Sequence, residues 1–270
     1  MMGNPITHSK SPRIHSLFAK QTNQNIEYTA IHVDLGGFEQ AVGNFDASGG
    51  KGLNITVPFK QEAYALVDKK SARAERAGAI NTIKFENDSL YGDNTDGVGL
   101  VNDLQHNLHI ELRDKRVLLM GAGGAARGVV APLLEQHPAM LVIVNRTPDK
   151  AVAMAEAFSD LGFIEGCGYP DLGELQFDIV INATAASLQG DVPPLPDDCL
   201  ADHAVCYDMM YGAKPTAFMG WAAVHGAEKI TDGLGMLVEQ AAESFYLWRG
   251  VRPSTTEVIQ AIRDELNQQD

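Results

Sequence analysis

The sequence predicts an α/β protein of two domains with a cleft between them, on three observations. Short apolar runs alternate with amphipathic segments through the middle of the chain. One of those runs ends at a cluster of glycines that opens a helix. The last stretch, from about residue 236 onward, reads as helix alone. At 270 residues the chain has the length of one large domain or two modest ones, at roughly 150 residues per domain.

Taken in order, the first hundred residues already alternate. Pro12–Gln21 and Lys60–Val67 read as helices, and Ile26–Ile31 and Leu53–Val57 as strands. Ala79–Glu86 and Leu90–Gly92 read as a hairpin. In the middle, Arg116–Met120, Leu141–Val144 and Asp178–Asn182 are apolar strand runs, separated by helical patterns over Gly124–Gln136 and Asp149–Phe158. Strands alternating with helices predict a parallel sheet with helical crossovers. At the C-terminal end, Met236–Trp248 sets Leu237, Ala241, Phe245 and Trp248 on one side. Pro253–Leu266 opens with Ser254-Thr-Thr-Glu257, a capping-box pattern. A helical end after a complete nucleotide fold commonly packs back on the first domain. The expected organisation is therefore a first domain of residues 1–97 with 233–270 and a second of 98–232.

Composition narrows the function. Apolar residues make up 45% and charged residues 21%, which excludes a disordered chain, a collagen and a coiled coil. Three cysteines without a CxxC spacing argue against a disulfide framework or a cysteine zinc site and fit a reducing cytoplasm. There is no basic start followed by an apolar run, as a signal peptide would have, and no stretch near 18 apolar residues. The net charge of −14 makes nucleic acid a poor partner. It also means that an anionic substrate needs local cations or a helix N-terminus. The eight histidines are scattered without metal-ligand spacing, so no metal is expected.

Gly121-Ala122-Gly123-Gly124-Ala125-Ala126 follows a strand and opens a helix, the context a dinucleotide fingerprint needs. Such glycines permit a tight turn and close approach of a pyrophosphate to the helix N-terminus, which marks this domain as Rossmann-type. The next strand ends in Asn145-Arg146-Thr147 with Lys150 nearby, where an NAD enzyme places an acid for the ribose hydroxyl. Arg146 can instead face a 2′-phosphate with its fork of donors, which favours NADP. The alternative is a solvated loop arginine.

Polar groups gather elsewhere. Gly3-Asn-Pro-Ile-Thr-His-Ser9-Lys-Ser11-Pro12 places two hydroxyls before a helix start, where either could be only a cap. Asn54-Ile-Thr56-Val-Pro-Phe-Lys60, Gly78-Ala-Ile-Asn81-Thr82 and Gly92-Asp-Asn94-Thr-Asp96-Gly97 add more at strand ends. Singly these are turn chemistry. Together they suit a small polyol acid, with hydroxyls and amides for its hydroxyl groups and Lys60 with Asp96 for proton transfer. From spacing alone, Met209-Met210 is core filling rather than a wall against a nicotinamide.

Nearly the whole chain resembles the shikimate dehydrogenase family, which reduces 3-dehydroshikimate to shikimate in aromatic amino acid and chorismate biosynthesis. The motifs above occur in the family's order, joined by Tyr207-Asp-Met-Met-Tyr211 and Asp232-Gly-Leu-Gly-Met-Leu-Val-Glu-Gln240-Ala241. The resemblance implies that Ser9, Ser11, Thr56, Asn81, Asp96, Tyr211 and Gln240 hold the substrate, and that Lys60 beside Asp96 gives and takes the proton. It implies that Gly121, Ala122, Gly123, Gly124 and Ala125 carry the pyrophosphate of NADP. Asn145, Arg146, Thr147 and Lys150 would hold the adenosine ribose and its phosphate, and Met209 and Gly233 would flank the nicotinamide. Three positions depart from the family. Only Met1 and Met2 precede Gly3, which puts the family's first strand in doubt and suggests a late start or a truncation. Ala185, Ala186 and Ser187 stand where a serine near the nicotinamide is usual. Lys150 replaces a frequent arginine.

The competing readings are a quinate and shikimate dehydrogenase with relaxed substrate or NAD use, and a non-catalytic NADP sensor. Arg146 counts against NAD, and a sensor has no need of both Lys60 and Asp96. Shikimate or 3-dehydroshikimate is the expected partner, with neither nucleic acid nor membrane; a homodimer is left open.

Overall fold

The computed structural model describes residues 1–87, 89–186 and 190–268. The chain forms two compact units, Met1–Gly99 with Leu237–Ile262, and Leu100–Met236 with the residues from Arg263 onward.

In the first unit, β1 (Met2–Gly3) runs parallel to β2 (Ile31–His32) and bridges from Met2 to Ile55. α1 (Ser11–Gln21) turns Ile14, His15 and Phe18 inward, and α2 (Phe38–Ala47) does the same with Phe38 and Val42. β3 (Gly52–Asn54), α3 (Lys60–Leu66), β4 (Lys69–Lys70) and α4 (Ala72–Ala77) follow. β5 (Thr82–Glu86) and β6 (Ser89–Asp93) form the expected hairpin, and the sheet order is β3-β5-β6-β4. α5 (Asp96–Asn102) comes next.

The second unit holds the longer sheet. It comprises β7 (Arg116–Met120), α6 (Gly124–Leu134), β8 (Met140–Val144), α7 (Pro148–Phe158) and β9 (Ile164–Cys167). After these come β10 (Phe177–Asn182), β11 (Leu200–Asp208), α8 (Ala217–Val224) and β12 (Lys229–Asp232). All five strand pairings are parallel, in the order β9-β8-β7-β10-β11-β12. That is the doubly wound dinucleotide-binding order, whose direction reverses between β7 and β10. Val117–Met120, Leu141–Val144 and Ile179–Asn182 are buried throughout, the signature of strands covered on both faces.

α9 (Leu234–Arg249) and α10 (Thr256–Asn267) end the chain. Between α5 and β7 the chain makes a π-helical turn, Asp103–Asn107. Buried Asp103 accepts the Tyr207 hydroxyl at 2.7 Å, and a Cβ at Gly235 would overlap its carboxylate. Any side chain at 235 would have to displace that buried carboxylate.

Several expectations are corrected. Of the strand expected over Ile26–Ile31, only Ile31 is in β2, although Ile26 and Tyr28 keep an inward alternation. The strand expected over Leu53–Val57 stops at Asn54. Thr56 enters a turn closed by Phe59 N–H on its carbonyl at 3.0 Å, and Pro58 has no N–H for a ladder. The first strand, held in doubt, is present as two residues. α10 begins at Thr256, not at Pro253. Its first turn closes on the Thr255 carbonyl, and the Thr255 hydroxyl donates to Glu239 at 2.6 Å, so Ser254 does not head a capping box. Residues Gly233–Met236 and those from Arg263 onward group with the second unit, where Arg263 bonds the Gly212 carbonyl at 3.0 Å and the Asp232 carboxylate, and the first unit runs on to Gly99. Ser187 lies outside the described residues. Among the described residues no helix is long and apolar enough to cross a membrane.

Candidate active site

α3 begins at Lys60, directly after the turn that ends β3, and α5 begins at Asp96, directly after β6. Two strand ends thus bring Lys60 Nζ to 2.6 Å from Asp96 Oδ2. Asp96 is nearly buried at 13% side-chain exposure and Lys60 is at 27%, so the pair is shielded yet reachable. The second oxygen, Oδ1, accepts from Asn81 Nδ2 at 2.8 Å. Asn81 Oδ1 accepts the Thr95 N–H at 2.9 Å, and Asn94 Oδ1 accepts the Asp96 N–H at 3.1 Å. The carboxylate is therefore fixed by neutral donors on one side and by an ammonium on the other.

Behind this pair lies a layer of buried amides and hydroxyls. Asn54 Nδ2 donates to the Asn81 carbonyl, Thr82 Oγ1 and Ser244 Oγ at 3.0–3.2 Å. Tyr28 donates to Asn54 Oδ1 at 2.6 Å and also bonds Ser11. Burial pushes the Tyr28 hydroxyl far above its ordinary pKa, so it stays a neutral donor. Ser244 and Gln240 are one turn apart on α9, where Gln240 Oε1 lies 3.4 Å from Asn81 Nδ2. Hydrogen bonds thus link Ser11, Asn81, Asp96, Lys60 and Gln240. Ser9 Oγ accepts the Ser11 N–H at 3.2 Å, a cap-like bond at the start of α1. Thr56 packs its methyl on Gly3, where a Cβ would overlap it. Tyr211 belongs to the second unit.

His15, on the α1 face that carries Ser11, is fully buried with no hydrogen-bond partner on either ring nitrogen. It stacks on Tyr28 at 4.1 Å, and burial lowers its pKa to about 3. Tyr28, His15 and Ser244 escaped the sequence reading. Asn54, Thr82 and Thr95 stood in the polar motifs without a role.

In the second unit, Gly121 takes φ +105 after β7 and packs against Ala183 and Thr184, which follow β10. Gly123 and Gly124 have nothing within 4 Å of where a Cβ would sit. Gly123 heads α6 with no side-chain cap, so uncovered backbone N–H groups face open space at the switch point. That cradle fits a pyrophosphate. α7 also starts without a side-chain cap, at Thr147, flanked by exposed Arg146 and Lys150. The first turn also carries Asp149, and the two cations there could face a phosphate. Asn145 Nδ2 holds the turn by donating to the Thr147 carbonyl at 2.9 Å. Met209 and Gly233 meet directly, since a Cβ at Gly233 would overlap the Met209 backbone. Met209 is buried in the core, as its spacing suggests. Among the described residues no group of three or more His, Cys, Asp or Glu is placed to hold a metal ion.

Three family models match the chain. They are a shikimate dehydrogenase substrate binding domain over residues 1–83, a shikimate/quinate 5-dehydrogenase over 103–189, and a shikimate 5′-dehydrogenase C-terminal domain over 233–263. A shikimate dehydrogenase (NADP(+)) of Alkalilimnicola ehrlichii is 58% identical over 98% of both chains. The crystal structure of an Ael1 enzyme from Pseudomonas putida has a TM-score of 0.92 at 48% identity over 96% of both chains. Shikimate 5-dehydrogenase from Thermus thermophilus, in complex with NADP(H) and shikimate, has a TM-score of 0.86 at 30% identity over 97% of both chains.

Proposed function

The chain belongs to the shikimate dehydrogenase family, and we propose that Lys60 and Asp96 carry the proton step of its reversible NADPH-dependent reduction of 3-dehydroshikimate to shikimate. It is an NADP-dependent oxidoreductase. The observation that carries the assignment of roles is the 2.6 Å contact of Lys60 with Asp96, in a shielded position among amides and hydroxyls.

NADP, when bound, exchanges a hydride with the substrate carbon. The Gly121–Ala125 turn would hold its pyrophosphate on the α6 N-terminus, and Asn145, Arg146, Thr147 and Lys150 its ribose phosphate, with Met209 and Gly233 beside the nicotinamide. Lys60 would give a proton from Nζ to the ketone oxygen in reduction and take it from the hydroxyl in oxidation. Asp96 orients that ammonium, and Asn81 orients Asp96. Ser9 and Ser11 at the α1 N-terminus would receive the carboxylate, which offsets the repulsion of a chain of net charge −14. Thr56, Asn81, Gln240 and Tyr211 would read the remaining polar groups. The buried thiols Cys199 and Cys206 and the acidic balance support a cytoplasmic enzyme that takes no nucleic acid or membrane as partner.

Mixing the chain with shikimate and NADP⁺ and following the NADPH absorbance band tests this. Reduction of NADP⁺ with shikimate is the expected outcome. Equal rates with NAD⁺ or with quinate would replace it with the relaxed enzyme, and no rate with any pair would leave a binding protein.

A further inference from the structure

We propose that Arg73, which lies in none of the polar motifs, is a positioning residue for the proton step. By clamping Asp93 it sets the loop that holds Asp96 against Lys60. The inference rests on the roles just given to Lys60 and Asp96.

Asp93 ends β6, and its side chain is 3% exposed. Arg73 reaches it from α4 with two bonds, Nε to Oδ1 at 2.7 Å and Nη2 to Oδ2 at 2.6 Å. Ser71 Oγ adds a third at 2.5 Å and the Asn94 N–H a fourth at 2.7 Å. Oδ1 takes three of these four bonds, and the bond to Oδ2 comes from the guanidinium. Burial works against its charge, yet the guanidinium and the Ser71 hydroxyl hold its carboxyl below the usual range. Removing the guanidinium would leave a buried anion with only neutral donors, and the loop would have to shift to hydrate it or take up a proton.

That loop is short and tied at each residue. Asn94 Nδ2 donates to the Ala79 carbonyl at 3.0 Å, Thr95 N–H to Asn81 Oδ1 at 2.9 Å, and Asp96 N–H to Asn94 Oδ1 at 3.1 Å. A displacement at Asp93 therefore reaches Asp96 with little slack between them. The same Nη2 also donates to Glu243 Oε1 at 3.0 Å, while Arg252 holds Glu243 Oε2 at 2.5 Å. Glu243 sits on α9 beside Ser244, whose hydroxyl meets Thr82 at 2.7 Å and Thr95 at 3.3 Å. One guanidinium thus ties the catalytic loop and α9 together. A lysine, a point charge without the fork, could keep the attraction and lose the geometry.

The experiment is a double-mutant cycle on the full chain: Arg73→Met, Asp96→Asn and both together, with Arg73→Lys alongside. A misplacement near 1 Å costs about 10²-fold, so Arg73→Met should lower kcat for shikimate by roughly 10–100-fold, with Arg73→Lys in between. KM for NADP⁺ should stay within about twofold, since the cofactor residues are untouched. On the Asp96→Asn background, Arg73→Met should cost less than about threefold, because its effect passes through Asp96. Equal losses on both backgrounds, or a KM for NADP⁺ that rises as kcat falls, would overturn the proposal. If Arg73→Met does not fold, Asp93→Asn enters the same cycle. A loss in Asp96→Asn with none in Arg73→Met overturns the positioning role alone; no loss in Asp96→Asn also removes the role given to Asp96, while that of Lys60 stands.

Discussion

Asn81 occupies one oxygen of Asp96 at 2.8 Å and so leaves the other to Lys60. The amide cannot itself accept or release the reacting proton, but it fixes which face of the carboxylate the ammonium meets. Under the proposed roles, acid–base work falls to a lysine whose carboxylate partner is held on its other oxygen.

Lys60→Met keeps the stem and removes the amine. Loss of a general acid–base group should lower kcat by about 10²–10⁴ with a smaller change in KM for shikimate. Steady-state kinetics across pH 6 to 10 measure both. If KM rises while kcat stays within about threefold, Lys60 only attracts the anion. Asp96→Asn should lower kcat too; a silent Asp96→Asn would dissolve the pairing and keep the lysine.

Arg146→Ala addresses the cofactor. A hydrogen bond to a charged group is worth about 1.5–3 kcal/mol, or roughly 10–150-fold in affinity. KM for NADP⁺ should rise by that factor while KM for NAD⁺ barely moves. Equal losses with both cofactors would mean that Arg146 supports the loop and reads no phosphate.

Two glycines of the same turn should separate folding from binding. Gly121→Ala forces an L side chain into φ +105 with a methyl 3.0 Å from Thr184 Cγ2, and should cost about 1–3 kcal/mol in urea unfolding. Gly123→Ala meets no atom within 4 Å at φ −92, so stability should change by less than about 1 kcal/mol. Its methyl would stand where the pyrophosphate approaches, so NADP⁺ affinity should fall about tenfold or more. Unchanged titration of NADP⁺ into Gly123→Ala would remove the pyrophosphate from this turn.

His15 makes stability depend on acid. Its folded pKa of about 3 lies below the ordinary 6.5, so between those values the unfolded chain binds a proton that the folded chain refuses. Stability is whole above pH 6.5 and declines as pH falls toward 3, by up to about 1.4 kcal/mol per pH unit. At pH 5 the loss should be about 2 kcal/mol. His15→Phe should flatten the slope of urea midpoint against pH between 7.5 and 5. Parallel slopes for parent and variant would place the acid sensitivity elsewhere.

The middle of the fold was legible because strands covered on both faces give unbroken apolar runs, as Val117–Met120 and Leu141–Val144 do. β9 was not, since Glu165 and Gly166 interrupt it, and in β11 the exposed Asp202 and His203 precede the buried half. Lys60, Asn81 and Asp96 could be grouped because each sits at a strand end in a polar motif. Ser244 could not be. It meets Thr82 across 162 residues of chain, and a lone hydroxyl on an apolar helix carries no mark of so distant a partner. Arg73 was hidden for a similar reason, since a short helix of alternating alanines and charges reads as a solvated face.

The buried carboxylate pressed against Gly235 sets an order on the chain's divergence. A side chain at 235 would have to push Asp103 aside, and replacing Asp103 first strips the buried Tyr207 hydroxyl of its acceptor. Each single step should lower stability. The two positions should therefore change together or not at all, and a descendant that drifts freely elsewhere in α9 should still carry both.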